Sequence, residues 1–273
     1  MKIPQEQIII EFQKKILTWY HEHQRDLPWR QTRNPYYIFI SEVMSQQTQI
    51  TRVVPKYETW IETLPTITSL ANAPVAQVLQ LWSGLGYNRR ALNLKKAAEI
   101  IDRDFDGKFP QKEEQLLSLP GVGQYTARAI LCFAFDQQVA VVDTNVRKVI
   151  VTQFLKEESL DNPKTIQAIA EQLVPKRQAY EWNQALMDYA GTVLKKEKIS
   201  IPKQSKFIGS HRYYRGQILK VLLAKKQVSI KDIGVLIKKD YTISEKEWLE
   251  KLLDELIEEG FIINTKGVIS LSV

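Results

Sequence analysis

The chain has 273 residues, of which 44% are hydrophobic and 25% are charged, as in an ordinary globular protein. This length exceeds the usual size of one domain, so we expect a large domain and a smaller one. The sequence has no run of about 20 apolar residues, which excludes a membrane-spanning helix. Its N-terminal segment contains acidic residues and does not resemble a signal peptide. We therefore expect a cytoplasmic protein, associated with the nucleoid if the source is bacterial.

The cysteine and histidine content argues against a metal centre. Cys132, the single cysteine, lies in an apolar run, so we expect a buried thiol and no internal disulfide. The chain has three histidines, and the two-residue spacing of His21 and His23 points their side chains in different directions on a helix. This set cannot complete a zinc site or a cysteine-ligated cluster. We expect no metal and no cofactor, and leave open only a monovalent cation at the glycine-rich turn described below.

The positive charge is concentrated in one segment. The formal net charge is +7, and residues 192–216 contain seven basic residues and one acidic residue. Two interpretations remain open for this basic connector, which we place at residues 195–216: a solvated linker, or a segment that binds phosphates. Lys203, Lys206 and Arg212 are the candidate phosphate contacts, because aromatic residues are interleaved with them.

Helical periodicity dominates the first 194 residues. Apolar residues recur at three- and four-residue spacing in most segments, including the whole stretch 35–64, and the breaks fall at proline and glycine. Few segments alternate with a period of two. We predict an all-α body, residues 1–194, with two helical lobes.

The last part of the sequence predicts a small α+β module, residues 217–273. Three helical stretches are followed by a two-stranded hairpin around residues 264–267. We expect Ser229 to cap the second helix, Ser244 to cap the third with Glu247 completing a capping box, and Gly260 to end it. Three helices and a hairpin make a winged-helix-like module. Its net charge near zero makes a docking or structural role at least as plausible as DNA reading.

The segment LPGVGQYTARAI, residues 119–130, places a glycine-rich turn between two apolar stretches. Gly121 and Gly123 permit a tight turn around Val122, and the N–H groups at the start of the following helix would face an anion such as a phosphate. A plain turn between helices is the alternative. Tyr125 follows the second glycine by two residues.

Two carboxylates stand out. Asp143 follows a short apolar run and precedes a helical pattern, so it caps that helix through the N–H of Asn145 or Val146 and, if it faces a cleft, also offers a fixed negative charge. Glu42 lies among apolar residues on a helix, where burial would raise its pKa and make it a proton donor near neutral pH. A solvated glutamate is the alternative for Glu42.

The order of the motifs is more specific than any single motif. Six motifs follow one another along the chain: Trp29-Arg30, SEVMSQQTQ, LWSGLGYNRRA, LPGVGQYTARAI, VVDTNVRKV and NQALMDYAGTV. Their order resembles that of the MutY-type adenine DNA glycosylases of the helix-hairpin-helix superfamily. The resemblance covers approximately residues 8–194. It implies an all-α body with two lobes that flank a DNA-binding cleft, and a monomer that acts on double-stranded DNA.

The resemblance also implies roles for the candidate residues in catalysis. Glu42 aligns with the glutamate that protonates the departing adenine, and Asp143 with the aspartate that stabilises the sugar cation. Asn145 aligns with an asparagine that supports this aspartate. Tyr125 occupies the position where relatives that also cut the backbone have lysine, so the resemblance implies a monofunctional enzyme.

A second group of residues is assigned to DNA binding by the same resemblance. Gln47 and Tyr87 match residues that wedge into the duplex near the flipped nucleotide. The hairpin of residues 121–123 would hold a phosphate, and Arg30 belongs to the same DNA-binding set.

The sequence departs from the family in two places. The four cysteines that usually follow the NQALMDYAG segment and hold an iron–sulfur cluster are absent, and the family's module for 8-oxoguanine recognition is replaced by the winged-helix-like tail. Three hypotheses stay open: a glycosylase for mispaired adenine, which Glu42 and its motif favour; a glycosylase for thymine or uracil opposite guanine, or for hypoxanthine; and a DNA-binding protein without catalysis.

Overall fold

A computed structural model describes residues 5–155, 162–196 and 206–272. The chain forms two compact units, Met1–Val43 with Phe109–Ile201, and Met44–Lys108 with Pro202–Val273. Both units consist mainly of helices, and the described strands all belong to the second. The predicted all-α body with a small α+β module is therefore confirmed.

The first unit contains the N-terminal helix and a run of helices from the second half of the body. Phe12, Ile16 and Trp182 are central to its apolar core, and the rings of Phe12 and Trp182 meet edge to face at 5.9 Å. Proline at the first helical position and asparagine before it begin two of these helices, as the sequence leads one to expect. The helices are α1 Glu6–His23, α2 Pro35–Ser45 (up to Val43), α7 Glu113–Leu117, α8 Gln124–Phe135, α9 Thr144–Phe154, α10 Pro163–Leu173 and α11 Ala179–Thr192.

The second unit combines four helices from the middle of the chain with the C-terminal module. The rings of Trp60 and Trp82 pack edge to face at 5.8 Å in its core, and neither residue is exposed. The middle helices are α3 Ile50–Thr63, α4 Ile67–Asn72, α5 Val75–Trp82 and α6 Arg89–Asp104.

The helical stretch 35–64 is interrupted. Helix α2 ends at Ser45 and α3 begins at Ile50, so residues 46–49 form a loop between them. Gln47 has a φ of 53° in this loop, a left-handed conformation that no α-helix can accommodate. Since glutamine is a good helix former, the apolar pattern alone gives no sign of this break.

The C-terminal module contains the three predicted helices and the predicted hairpin. Ser229 caps the second helix by accepting a hydrogen bond from Asp232 N–H, as expected. A third strand, too short for a periodic pattern, was not predicted; it pairs with the last strand, giving the order β1-β3-β2. The elements are α12 His211–Lys225, β1 Gln227–Ser229, α13 Ile230–Ile237, α14 Lys246–Glu258, β2 Ile262–Thr265 and β3 Val268–Leu271.

The expected cap of the third helix is wrong. The capping box is formed by Thr242 and Glu245 around a short 3-10 turn, and α14 begins only at Lys246. The sequence TISEKE contains two overlapping Ser/Thr-x-x-Glu patterns, and the structure uses the first, not Ser244 with Glu247. An ion pair between Lys238 and Glu245 favours this frame.

Two further expectations concern burial. Cys132 is completely buried, and burial raises the pKa of its thiol to about 12, so the expected structural thiol is confirmed. Among the described residues, no helix has both the length and the apolar character that crossing a membrane requires.

The first helix of the module begins at His211, inside the segment assigned to the basic connector. The domain boundaries of the sequence analysis stay predictions.

Candidate active site

The glycine-rich turn joins α7 to α8 in the first unit. Gly121 has a φ of 76°, a conformation that glycine adopts without strain, and Gly123 is the residue that precedes α8. Val122 is buried and anchors the turn, whereas both glycines are exposed. No side chain caps α8, and a Cβ built on Gly123 would meet no atom within 4 Å. The turn thus presents open backbone to the surface at a helix N-terminus.

Tyr125, in the first turn of α8, connects this hairpin to Glu42 on α2. The Tyr125 hydroxyl donates a short hydrogen bond to Glu42 Oε2. This contact brings together two residues that are separated by 83 positions in the sequence. Burial raises the pKa of the Tyr125 phenol well above its usual value, as do the charges of Glu42 and Asp143, so this group donates rather than ionises.

Glu42 is only 7% exposed, and burial raises the pKa of its carboxyl group to about 7. The hydrogen bond from Tyr125 and the positive charge of Arg30 oppose this shift, while the negative charge of Asp143 adds to it. The raised pKa that the apolar surroundings led us to expect is therefore confirmed. Near neutral pH a substantial fraction of Glu42 carries a proton that it can donate.

Asp143 is held in a fixed orientation at the N-terminus of α9. Its Oδ1 accepts a hydrogen bond of 2.7 Å from Val146 N–H, and its Oδ2 accepts one of 2.8 Å from the Asn145 amide. Burial raises the pKa of Asp143, and these hydrogen bonds counteract the rise. The predicted cap is confirmed, and the neighbouring Asn145 supports the second oxygen.

Asn183, which the sequence analysis did not single out, fixes the segment that leads to Asp143. It is 1% exposed; its Oδ1 accepts from Val141 N–H at 2.8 Å, and its Nδ2 donates to Val139 O at 3.0 Å. The two bonds pair one N–H and one carbonyl group of a backbone stretch that belongs to no helix or strand. A buried amide on an otherwise apolar helix face is the only sequence signal for this role.

Arg30 lies in a buried ion pair. Its Nη1 and Nη2 donate to the two oxygens of Asp188 at 2.7 and 2.8 Å, and Arg25 contacts the same carboxylate. Burial alone would raise the pKa of Asp188, but the hydrogen bonds from Arg30 lower it below its usual range. Asp188 is fully buried, and its place in the apolar segment ALMDYAG was the signal that sequence reasoning missed. Because the Arg30 side chain is only 9% exposed, this pair gives it a structural role, and its contact with DNA stays a prediction.

The remaining predicted residues belong to the second unit. Gln47 lies in the loop 46–49 and Tyr87 in the loop 83–88, and both line a cavity of about 890 Å³ together with Arg212 from α12. Lys206 is exposed, and Lys203 lies outside the described residues. The structure therefore groups Glu42, Tyr125, Asp143 and Asn145 in the first unit, and Gln47, Tyr87 and Arg212 in the second.

Comparison with known proteins adds the family. The model of the HhH-GPD superfamily base excision DNA repair proteins matches residues 40–176. The adenine DNA glycosylase of Mycolicibacterium smegmatis is 41% identical over 183 residues, which cover 66% of this chain and 62% of that protein. The adenine DNA glycosylase of Buchnera aphidicola is 38% identical over 186 residues, which cover 67% and 52%. This chain thus spans about half to three-fifths of the length of these relatives.

Solved structures show the same architecture. A thermostable thymine-DNA glycosylase superposes with a TM-score of 0.65 at 32% identity and covers 68% of this chain and 87% of that one. An endonuclease III trapped as a covalent intermediate with DNA superposes with a TM-score of 0.61 at 21% identity, covering 68% and 86%. The second comparison supports the fold alone.

Proposed function

Because this chain belongs to the HhH-GPD superfamily of base excision DNA repair proteins, we propose that it is a monofunctional DNA glycosylase that removes mispaired adenine. The names of the relatives at about 40% identity support adenine as the base. The observation that carries the proposal is the buried Glu42, which has a pKa of about 7, is hydrogen-bonded by Tyr125 and is influenced by the charge of Asp143.

Glu42 supplies the proton for the leaving group. When the bond between C1′ and the adenine N9 breaks, the electron pair leaves with the base, and a proton from Glu42 neutralises the developing negative charge. Water then adds to C1′ and gives up a proton, which the Glu42 carboxylate accepts. The group needs a pKa near the working pH to act in both steps, and burial of Glu42 provides it.

Asp143 stabilises the sugar. Loss of the base leaves positive charge on C1′ and the ring oxygen, as in glycoside hydrolysis, where a second carboxylate stabilises an oxocarbenium-like transition state. Two hydrogen bonds already hold Asp143 in place, so little reorganisation accompanies the reaction.

Tyr125 determines the product. A lysine at this position could attack C1′ and form a Schiff base that leads to strand cleavage, whereas a phenol cannot. The Tyr125 hydroxyl instead holds Glu42 by its hydrogen bond. The expected product is an intact strand with an abasic site.

We expect the wild-type protein to leave a strand that breaks only after treatment with alkali, and borohydride to trap no covalent adduct. Tyr125→Lys places an amine beside the sugar and should introduce weak trapping. Tyr125→Phe, which has neither the amine nor the hydroxyl group, should not. Gel analysis of a labelled A:G duplex measures both properties. Efficient trapping by the wild type would contradict the monofunctional mechanism, and no trapping by Tyr125→Lys would place Tyr125 away from the sugar.

DNA binding is proposed to involve both units. The open turn at Gly121–Gly123 offers backbone N–H groups to a phosphate, a contact that carries no sequence information. Gln47 and Tyr87 enter the duplex and lower the free energy needed to extrude the adenine. The basic connector binds further phosphates.

Changing Lys203, Lys206 and Arg212 together to Ala should weaken binding to mismatched and matched duplexes alike. Each lost phosphate contact reduces the slope of log K against log salt by roughly 0.9, so we expect a slope flatter by about two to three. The triple change Lys231→Ala, Lys239→Ala and Lys251→Ala removes the same charge from exposed positions of the module and serves as the control. Salt-titrated binding gives the slopes. Identical slopes in wild type and connector variant would favour the solvated linker.

A second function has one observation in its favour. The solved structure that resembles this chain at 32% identity is a thymine-DNA glycosylase, so removal of thymine or uracil opposite guanine is the alternative.

We expect the protein to act as a monomer, without a cofactor, in the cytoplasm. Within the described residues no three His, Cys, Asp or Glu side chains are grouped so that they could hold a metal ion.

A further inference from the structure

Two loops of the second unit share an unusual backbone feature. Gln47 in the loop 46–49 has a φ of 53°, and Tyr87 in the loop 83–88 has a φ of 49°. Residues other than glycine rarely adopt this left-handed backbone conformation, and bulky residues do so only where surrounding contacts hold them. Both residues therefore need support from their neighbours.

A single guanidinium contacts both loops. Arg90 Nη1 donates to Met44 O at 3.1 Å and to Gln46 O at 2.6 Å. Its Nη2 donates to Thr48 Oγ1 at 3.2 Å in the first loop. The same nitrogen lies 3.1 Å from Leu85 O and 3.1 Å from Gly86 O in the second loop. Three of these acceptors lie on the two sides of Gln47 in the sequence, and the other two immediately precede Tyr87.

Aromatic rings fix the direction of this guanidinium. It lies over the ring of Trp82 at 5.0 Å and over the ring of Tyr87 at 5.7 Å. Trp82 is fully buried, and its indole N–H donates to Gly86 O at 2.9 Å, so the second loop is tied to the core at the point where Arg90 binds it. Arg90 thus connects the core of the second unit to groups on both sides of Gln47 and to the backbone just before Tyr87.

We propose that Arg90 is a positioning residue, whose guanidinium holds the loops 46–49 and 83–88 together so that Gln47 and Tyr87 enter the duplex as a pair. This inference rests on the proposed function, because it needs a nucleotide to be extruded. Lysine cannot replace arginine here, because a guanidinium is a rigid planar fork with five donors, whereas an ammonium is a point charge. Arg90 contacts neither the base nor the sugar in this account and acts only through the two loops.

The first measurement is the single-turnover rate of adenine release from an A:G duplex. Displacement of catalytic geometry by about 1 Å can lower a rate about 100-fold, and we expect a loss of this order for Arg90→Met. Arg103→Met is the matched control, since Arg103 lies on the same helix, is 68% exposed and pairs only with the neighbouring Asp104 among the described residues. We expect this control to retain the wild-type rate.

A double-mutant cycle separates positioning from general damage. If Arg90 acts through the two loops, Arg90→Met should cause little further loss in a protein that already carries Gln47→Ala and Tyr87→Ala. A structural defect would instead add its full effect in that background. Full additivity, or a wild-type rate for Arg90→Met, would overturn the proposal. If Arg90→Met does not fold, Arg90→Lys is used in the same cycle.

Base extrusion is measured independently of excision. A duplex with 2-aminopurine at the target position becomes more fluorescent when that base leaves the stack, whether or not any base is released. We expect the wild type to increase the fluorescence and Arg90→Met to lose most of this increase at saturating protein. Equal increases would overturn the positioning role. Extrusion without adenine release from an A:G duplex by the wild type would instead contradict the proposed function and leave the role of Arg90 supported.

Discussion

Glu42→Gln is expected to abolish adenine release while DNA binding is retained. Glutamine keeps an oxygen that can accept the Tyr125 hydrogen bond, so the variant changes the proton donor and little else. Loss of general acid catalysis typically lowers a rate by ~10²–10⁴-fold. Single-turnover kinetics on an A:G duplex, together with binding measurements, test this expectation.

The matched control for this variant is Glu22→Gln. The Glu22 side chain is 71% exposed on α1, so the same charge is removed from a solvated position and the wild-type rate should persist. Near-full activity of Glu42→Gln would remove Glu42 from the chemistry and place the proton donor elsewhere.

The pKa of Glu42 adds a pH dependence. Release by the wild type should decline as pH rises through about 7, because the acid form of Glu42 disappears there.

The stability of the protein should also depend on the ionisation of Glu42. The folded protein binds this proton more tightly than the unfolded chain, so the stabilising effect of Glu42 is greatest at low pH and is lost as pH rises through about 7. Glu42→Gln should therefore raise the free energy of unfolding at pH 8 by about 3 kcal/mol more than at pH 4. Denaturant unfolding at both pH values measures this difference.

Asp143→Asn is expected to lower the rate by a similar factor, on the order of 10²–10³-fold, as when one transition-state stabilising group is removed. Asparagine is as good as aspartate at a helix N-cap, so the bond from Val146 N–H can persist and α9 should stay folded. What is lost is the negative charge that faces the sugar cation. Single-turnover kinetics on the A:G duplex measure the loss, and circular dichroism checks the helix.

Asp136→Asn provides the control for this second variant. Asp136 is exposed and has a φ of 54°, a conformation that asparagine tolerates well, so the change removes one carboxylate without strain. A normal rate in Asp143→Asn would show that the cation is stabilised by another group.

Local signals in the sequence predicted much of the fold. Ser229 begins a helix where its position led us to expect one, and the hairpin around residues 264–267 forms as predicted. These features depend on a few neighbouring residues. Where two local signals overlap, as for Ser244 and Thr242, the ion pair of Lys238 with Glu245 favours one of them, and the sequence pattern does not reveal it.

The candidate site was predicted in part, because two of its features depend on local sequence. The apolar neighbours of Glu42 and the cap at Asp143 are readable from adjacent residues. The pair of Arg30 with Asp188 joins residues 158 positions apart, and Arg90 reaches back 44 positions to Gln46. Such contacts follow from how helices pack in space, which periodicity does not specify.

The most direct test of the account is base release from a panel of duplexes: A opposite 8-oxoguanine, A:G, A:C, T:G, U:G and hypoxanthine:T. Each duplex carries a label on the strand to be processed, and alkali reveals the abasic sites. The proposed function predicts release of adenine opposite 8-oxoguanine or guanine at rates well above those for thymine, uracil and hypoxanthine, and loss of this activity in Glu42→Gln. Release of thymine, uracil or hypoxanthine with adenine retained, or release of no base from any duplex, would contradict it.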